Sequence, residues 1–81
     1  MTNKIETSKW QNWSWQSENR YYHLILSQNI FGEWLIVKKW GGLRTRIHGS
    51  KTHYFNNFDD VAASLTQIQK RRIARGYNLV Q

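Results

Sequence analysis

The fold is decided by residues 20–40, which run RYYHLILSQNIFGEWLIVKKW. Two runs of aromatic and aliphatic residues, at 20–28 and 33–40, are separated by a short segment that contains Asn29 and Gly32. Aromatic and β-branched residues favour strands, whereas Asn and Gly favour turns, and Gly32 can adopt a positive φ angle at little steric cost. The pattern therefore predicts a β-hairpin.

The second predicted strand presents different side chains on its two faces, because side chains alternate along a strand. One face would carry Trp34, Ile36, Lys38 and Trp40, and the other would carry Glu33, Leu35, Val37 and Lys39. Each face carries apolar groups at first and a lysine near the end. We therefore expect the strand to leave the hydrophobic core as it approaches Gly41.

Beyond the hairpin, the sequence predicts a loop, a third strand and a helix. Gly41 and Gly42 end the second strand, a basic loop follows, and residues 50–55 include the β-forming side chains of a third strand. Asn57 is the expected N-cap of the helix, because its side chain can accept a hydrogen bond from the first turn. Gly76 is the expected C-terminal cap.

The predicted helix has an apolar stripe and a basic end. The stripe consists of Phe58, Val61, Ala62, Leu65, Ile68 and Ile73. The cations near the end are Lys70, Arg71, Arg72 and Arg75, and the helix dipole accounts for them without any ligand. Residues 77–80 would add a short edge strand or pack back on the sheet. The predicted fold class is α+β, an antiparallel sheet with one long C-terminal helix packed across it.

The first 19 residues are polar apart from Ile5, Trp10, Trp13 and Trp15, and they lack the apolar segment of a signal peptide or membrane span. We interpret residues 1–19 as an N-terminal extension whose tryptophans fold onto an open face of the sheet, and residues 20–81 as the folded domain. The alternative interpretation is a stacking platform for single-stranded nucleic acid.

The net charge of +7 lies entirely in the second half of the chain. Residues 1–37 balance three Lys and Arg against three Glu, whereas residues 38–81 carry nine Lys and Arg against two Asp. Charge asymmetry of this kind indicates a polyanionic partner, of which nucleic acid is the commonest. A solvated basic surface that only aids solubility is the alternative.

Neither catalysis nor metal binding is expected. His23, His48 and His53 do not share a metal-ligand spacing, and the chain has no Cys to join them. No nucleophile lies in a recognised catalytic context, and no phosphate-binding loop motif is present. We expect a non-enzymatic cytoplasmic protein without cofactor or metal.

The order and spacing of several motifs over residues 20–77 resemble a bacterial WGR domain. The matching residues are Tyr21-Tyr22, Phe31-Gly32-Glu33-Trp34, Trp40-Gly41, Phe55 and Arg75-Gly76-Tyr77. The resemblance implies an antiparallel sheet with one helix. WGR domains occur in DNA-damage-dependent poly(ADP-ribose) polymerases, where they grip broken DNA ends, and in short stand-alone bacterial proteins for which nucleic-acid binding is the usual proposal.

Two of the three motif residues carry over to this chain. The motif Trp, which in the polymerases stacks on a sugar at a DNA terminus, is Trp40, and the motif Gly is Gly41. The motif Arg is replaced by Gly42, so Arg44 or Arg46 would have to supply the lost charge. The other interpretation of Gly42 is that this chain has lost the DNA-binding role.

The expected function is that of a nucleic-acid-binding module for DNA or RNA, monomeric and without a membrane partner. It would contact the sugar-phosphate backbone or its ends. The candidate binding residues are Trp40, Gly41, Lys38, Lys39, Arg44, Arg46 and Lys51. The alternative is a protein–protein interaction module that uses the Trp-rich sheet face and does not bind nucleic acid.

Overall fold

The computed structural model describes residues 4–80 and contains a five-stranded antiparallel sheet with one α-helix. In chain order, a 3-10 turn at Thr7–Lys9 is followed by β1 (Gln11–Gln16), β2 (Arg20–Gln28), β3 (Trp34–Gly42), β4 (His48–Phe55), α1 (Phe58–Ala74) and β5 (Asn78–Leu79). The strands lie in the order β4-β3-β2-β1-β5, and each neighbouring pair is antiparallel. The predicted α+β class is confirmed.

The β2–β3 hairpin forms because Asn29 organises its turn. The backbone N–H groups of Phe31 and Glu33 both donate to Asn29 Oδ1 at 3.0 Å. Gly32 has a φ angle of 79°, which a glycine adopts without the strain that a Cβ would add. The resulting register places Gln28 opposite Trp34 at the closed end and Tyr22 opposite Trp40 near the open end.

Both predicted caps of α1 are present. Asn57 Oδ1 accepts a hydrogen bond of 2.9 Å from the backbone N–H of Asp60. At the other end, Gly76 has a φ angle of 83°, and the N–H of Tyr77 donates to the carbonyl of Arg72 at 3.0 Å. This closing turn is a Schellman motif, and it brings Tyr77 back beside Arg72.

One face of the sheet, called here the inner face, packs against α1. The buried core consists of Trp15, Tyr22, Leu24, Leu26, Trp34, Ile36, Val61, Leu65 and Ile68. The prediction that Ile73 completes the helix stripe is wrong, because Ile73 is 70% exposed while Arg72 is only 8% exposed. Val61, Leu65, Ile68 and Arg72 recur at steps of four, three and four, which keeps them on one side of a 3.6-residue helix.

The N-terminal segment contributes a strand to the sheet itself. β1 lies between β2 and β5, so the segment is hydrogen-bonded to the sheet edge and does not lie across a face. Trp15 is 3% exposed and belongs to the core, Trp13 packs against the core, and Trp10 is partly exposed. Residues 1–3 of the predicted extension and Gln81 of the predicted domain lie outside the described residues. Strand β5 corresponds to the short edge strand that residues 77–80 predict.

The side chain of Gln28 connects the segment before β1 to the rest of the fold through hydrogen bonds. Its Oε1 accepts from the Glu6 backbone N–H at 2.7 Å and from Trp10 Nε1 at 3.1 Å. Its Nε2 donates to the carbonyl oxygens of Lys4 at 2.7 Å and Gly32 at 2.9 Å. Four hydrogen bonds thus satisfy one buried amide side chain.

None of the helices between residues 4 and 80 has the length and apolar character that crossing a membrane requires.

Candidate functional site

The basic end of the molecule contains a groove of about 1200 Å³. It lies on the inner face of the sheet, between the C-terminal end of α1, the loop that joins β3 to β4, and the turn that joins β1 to β2. Six cationic side chains line it: Arg20, Lys38, Arg44, Lys51, Arg72 and Arg75. Among the residues that the structure describes, no Asp or Glu lines the groove. The groove therefore carries a concentrated, uncompensated positive charge.

Trp40 lies on the inner face of β3 and is held between its two neighbouring strands. Its ring is stacked with that of Tyr22 on β2, with centroids 6.4 Å apart and planes 17° apart. On β4, Gly49 lies directly opposite, and a Cβ there would come within 2.7 Å of the Trp40 indole. Trp40 is nevertheless 37% exposed, and that exposed part lines the groove. The indole is therefore held by its neighbours, while part of its surface remains exposed in the groove.

Arg72 forms the wall of the groove on the helix side. Its guanidinium carbon lies 4.1 Å from the centre of the Tyr22 ring and 5.0 Å from the centre of the Tyr77 ring. Such contacts favour the cation electrostatically, and the stem of the side chain completes the helix stripe. Arg72 Nε is buried and has no hydrogen-bond partner. Burial raises the pKa of the Tyr22 hydroxyl, although the adjacent charge of Arg72 acts in the opposite direction.

The floor of the groove contains two lysines in direct opposition. Lys38 on β3 pairs with Lys51 on β4, so both side chains stand on the inner face. Burial lowers the pKa of Lys38, and the charges of Lys51, Arg71 and Arg72 lower it further. Within residues 4–80, no carboxylate forms an ion pair with either lysine. Like charges directly opposite each other destabilise a sheet, so this pair has a cost to folding.

His53 stands beside the two lysines on the inner face of β4. Its Nε2 is buried and makes no hydrogen bond. Burial lowers the pKa of the imidazole, and the charges of Lys38 and Lys51 lower it further. The ring therefore stays neutral at pH values where an exposed histidine is partly protonated.

The structure brings five of the seven predicted binding residues together. Trp40, Gly41, Lys38, Arg44 and Lys51 all line the groove. Lys39 stands on the opposite, outer face of the sheet, beside His23 in a smaller depression of about 280 Å³. Arg46 is exposed in the β3–β4 loop and does not line the groove.

The groove also contains residues outside the predicted binding set: Arg20, Tyr22, His53, Arg72, Arg75 and Tyr77. The helix dipole was the preferred explanation for Arg72 and Arg75, yet both line the groove. The spacing of Arg72 from Val61, Leu65 and Ile68 was the available clue, because it places an arginine in the apolar stripe. Tyr22 could be found only through the hairpin register that sets it opposite Trp40.

The side chain of Thr45 in the β3–β4 loop packs closely against Gly42. A Cβ on Gly42 would collide with the Thr45 side chain, which would have to move. The backbone N–H of Gly42 donates to the Ile47 carbonyl at 3.1 Å, and the N–H of Leu43 donates to the Asn19 carbonyl at 2.8 Å. These bonds hold the loop against the β1–β2 turn, and they place Arg44 at the groove.

No metal-binding cluster is evident in the described part of the chain, where no three His, Asp or Glu side chains lie close enough to hold an ion together. The groove offers arginine, lysine and aromatic side chains instead, which are groups that bind anions and stack on planar rings.

Comparisons with known proteins identify a relative of low sequence identity. No family model matches the sequence, and no solved structure matches it. The chain is 28% identical over 58 residues to the uncharacterized protein y4dW of Sinorhizobium fredii (strain NBRC 101917 / NGR234). The match covers 72% of this chain, and it spans 28% of the length of that relative.

Proposed function

We propose that the groove binds nucleic acid, with its cations contacting phosphates and Trp40 stacking on a sugar or a base. The observation that carries this proposal is the lining of the groove, which has six cations and, in the described chain, no carboxylate, beside a partly exposed indole. Phosphate contacts supply affinity and orientation without reading sequence. The proposal therefore concerns recognition of the backbone or of strand ends in DNA or RNA.

The arrangement of the cations supports the proposal more than their number does. They come from five separate parts of the chain: β2 (Arg20), β3 (Lys38), the β3–β4 loop (Arg44), β4 (Lys51) and the C-terminal end of α1 with its cap (Arg72 and Arg75). A merely solvated basic surface would not need these elements to converge on one concave region. Because the cations converge around Trp40, the groove offers positive charge for phosphates and an aromatic ring for stacking in the same place. Proteins that bind single-stranded nucleic acid combine these two features.

The WGR resemblance is part of the same proposal. The order of the motif residues supports a domain of this type, and the antiparallel sheet with one helix is compatible with it. In this account Arg44, which lines the groove, supplies the charge that Gly42 lacks. We further propose that the protein acts as a monomer in the cytoplasm.

The test is a titration of labelled duplex DNA, single-stranded DNA and RNA with the full chain, repeated over a range of salt concentrations. For three to six phosphate contacts on duplex DNA, the log–log plot of affinity against salt has a slope of about −3 to −5. Stacking on Trp40 would also quench part of the tryptophan fluorescence. Absence of binding to all three polymers at about 50 mM salt would refute the proposal.

A protein–protein interaction is the second candidate, and the outer face of the sheet favours it. Ile25, Leu35 and Val37 are half-buried there, and Tyr54 is exposed. The tryptophans are less available for this role, because Trp15 and Trp34 are buried in the core. This candidate predicts association that does not weaken with salt, which size-exclusion chromatography at low and high salt would detect.

A further inference from the structure

The wall and the floor of the groove each contain a buried nitrogen atom to which the folded chain gives no hydrogen-bond partner. Arg72 is nine-tenths buried, its Nε makes no hydrogen bond, and the side chain lines the groove. His53 lines the same groove, and its Nε2 is also buried and unpartnered. Most buried polar groups in folded proteins are hydrogen-bonded, so two unpartnered nitrogens in one groove favour the binding of a hydrogen-bonding ligand.

The charges around these two nitrogen atoms indicate which kind of ligand they would bind. Lys38 lies on β3 diagonally across from His53, Lys51 lies on β4 on the same face as His53, and Arg72 lies on α1. No carboxylate of the described chain lines this region. An anion would offset the repulsion between Lys38 and Lys51 and would accept hydrogen bonds from both lysines and from Arg72 Nε.

We propose that Lys38, Lys51, His53 and Arg72 form a subsite for one phosphate group, and that His53 takes up a proton when the subsite is filled. A tetrahedral phosphate has several acceptor oxygens that point in different directions, which suits donors arriving from β3, β4 and α1. The proposal rests on the proposed function in that it takes the phosphate to be one of a nucleic-acid chain.

The protonation follows from the change in local charge. In the protein alone, burial and the charges of Lys38 and Lys51 lower the pKa of His53. A bound phosphate replaces this repulsion by attraction and raises the pKa of the same ring, with Nε2–H donating to a phosphate oxygen. Binding therefore strengthens as the pH falls towards the pKa of the free protein. One linked proton changes the affinity by at most about tenfold per pH unit.

The experiment is isothermal titration calorimetry of the full chain in buffers of different ionisation enthalpy, which counts the protons taken up per ligand bound. The ligands are a short DNA duplex, inorganic phosphate and sulfate. Sulfate keeps a constant charge across this pH range, so any proton uptake with sulfate belongs to the protein. His53→Gln is the test variant, and His48→Gln, which lies in the exposed outer-face position opposite Gly41, is the matched control.

We expect DNA binding to take up a fraction of a proton near neutral pH. The uptake should rise to a maximum between the pKa of the bound state and that of the free protein, and decline again at lower pH. Uptake should be lost in His53→Gln and retained in His48→Gln. If DNA binds wild type without any proton uptake, the subsite proposal is overturned while nucleic-acid binding stands. If phosphate and sulfate bind with His53-dependent uptake but DNA does not bind, the subsite stands and the proposed function fails. Binding of none of the ligands overturns both.

Discussion

The Arg72 guanidinium carbon lies 4.1 Å from the centre of the Tyr22 ring, so a buried cation of the helix packs directly on an aromatic residue of the central strand. Tyr22 in turn stacks with Trp40, which is the most exposed aromatic ring lining the groove. Arg72, Tyr22 and Trp40 thus form a continuous series of contacts from the helix through the sheet to the groove. The packing that closes this end of the core also positions the proposed binding surface.

Replacing Arg72 with methionine should weaken DNA binding and leave the stability of the fold nearly unchanged. Methionine can fill the helix stripe without a buried charge, so loss of the cation–π contact is offset by loss of a desolvated cation. We expect the free energy of unfolding in urea to stay within about 1 kcal/mol of wild type. DNA affinity should fall by about tenfold, since a charge-assisted phosphate contact is removed. Wild-type affinity in a stably folded Arg72→Met variant would contradict a role for Arg72 in binding.

Gly49→Ala should displace Trp40. The added Cβ would lie 2.7 Å from the indole, so the ring or strand β4 must shift. We expect a loss of about 1–3 kcal/mol in unfolding free energy and a shifted indole N–H resonance for Trp40. Gly76→Ala is the control, because its strain arises only from a φ angle of 83° and nothing lies within 4 Å of the new Cβ. An unmoved Trp40 resonance in Gly49→Ala would show that the ring is not held as described.

Gln28→Ala should loosen the N-terminal segment without affecting the groove. The change removes four hydrogen bonds, including those to the Glu6 backbone and to Trp10 Nε1. We expect a destabilisation of about 1–3 kcal/mol in urea unfolding and faster amide exchange at Glu6. DNA affinity should not change. Equal free energies of unfolding for the variant and wild type would show that these hydrogen bonds do not contribute to stability.

Stability should depend on pH through His53. Its pKa is lower in the folded chain than its ordinary value of about 6.5, so the unfolded chain binds more protons in this range. Protonation then favours unfolding, and stability should be lost as the pH falls from above 6.5 towards the folded-state pKa. Urea unfolding of wild type and His53→Gln at several pH values checks this prediction. The difference between their free energies of unfolding should shift in favour of the variant as the pH falls, and a constant difference would contradict it.

Local patterns in the sequence predicted much of the fold. The strand at 20–28 matches β2, and Asn57 and Gly76 act as the predicted caps. These features depend on neighbouring residues alone, namely alternating side chains, a capping amide and a glycine with positive φ. Strand β1 was not predicted, because its apolar side chains are only Trp13 and Trp15 and its stability comes from pairing with β2.

The candidate site was predictable only in part for a similar reason. Trp40, Lys38 and Lys51 lie on strands whose alternation can be derived from the sequence, and they do share the inner face. The same alternation sends Lys39 to the outer face. Strand alternation also places His53 on the same face as Lys51. Arg72 joins the site through the packing of α1 across the sheet, and no local pattern specifies how far along the sheet the helix ends.

The most direct test of the account compares two adjacent lysines, since Lys38 faces the groove and Lys39 faces away from it. Lys38→Gln and Lys39→Gln remove the same charge from neighbouring positions of β3. DNA affinity should be measured for both variants by fluorescence anisotropy at one salt concentration. We predict a loss of about tenfold for Lys38→Gln and of less than about threefold for Lys39→Gln. Equal losses would mean that DNA responds only to net charge, and that the groove is not its binding site.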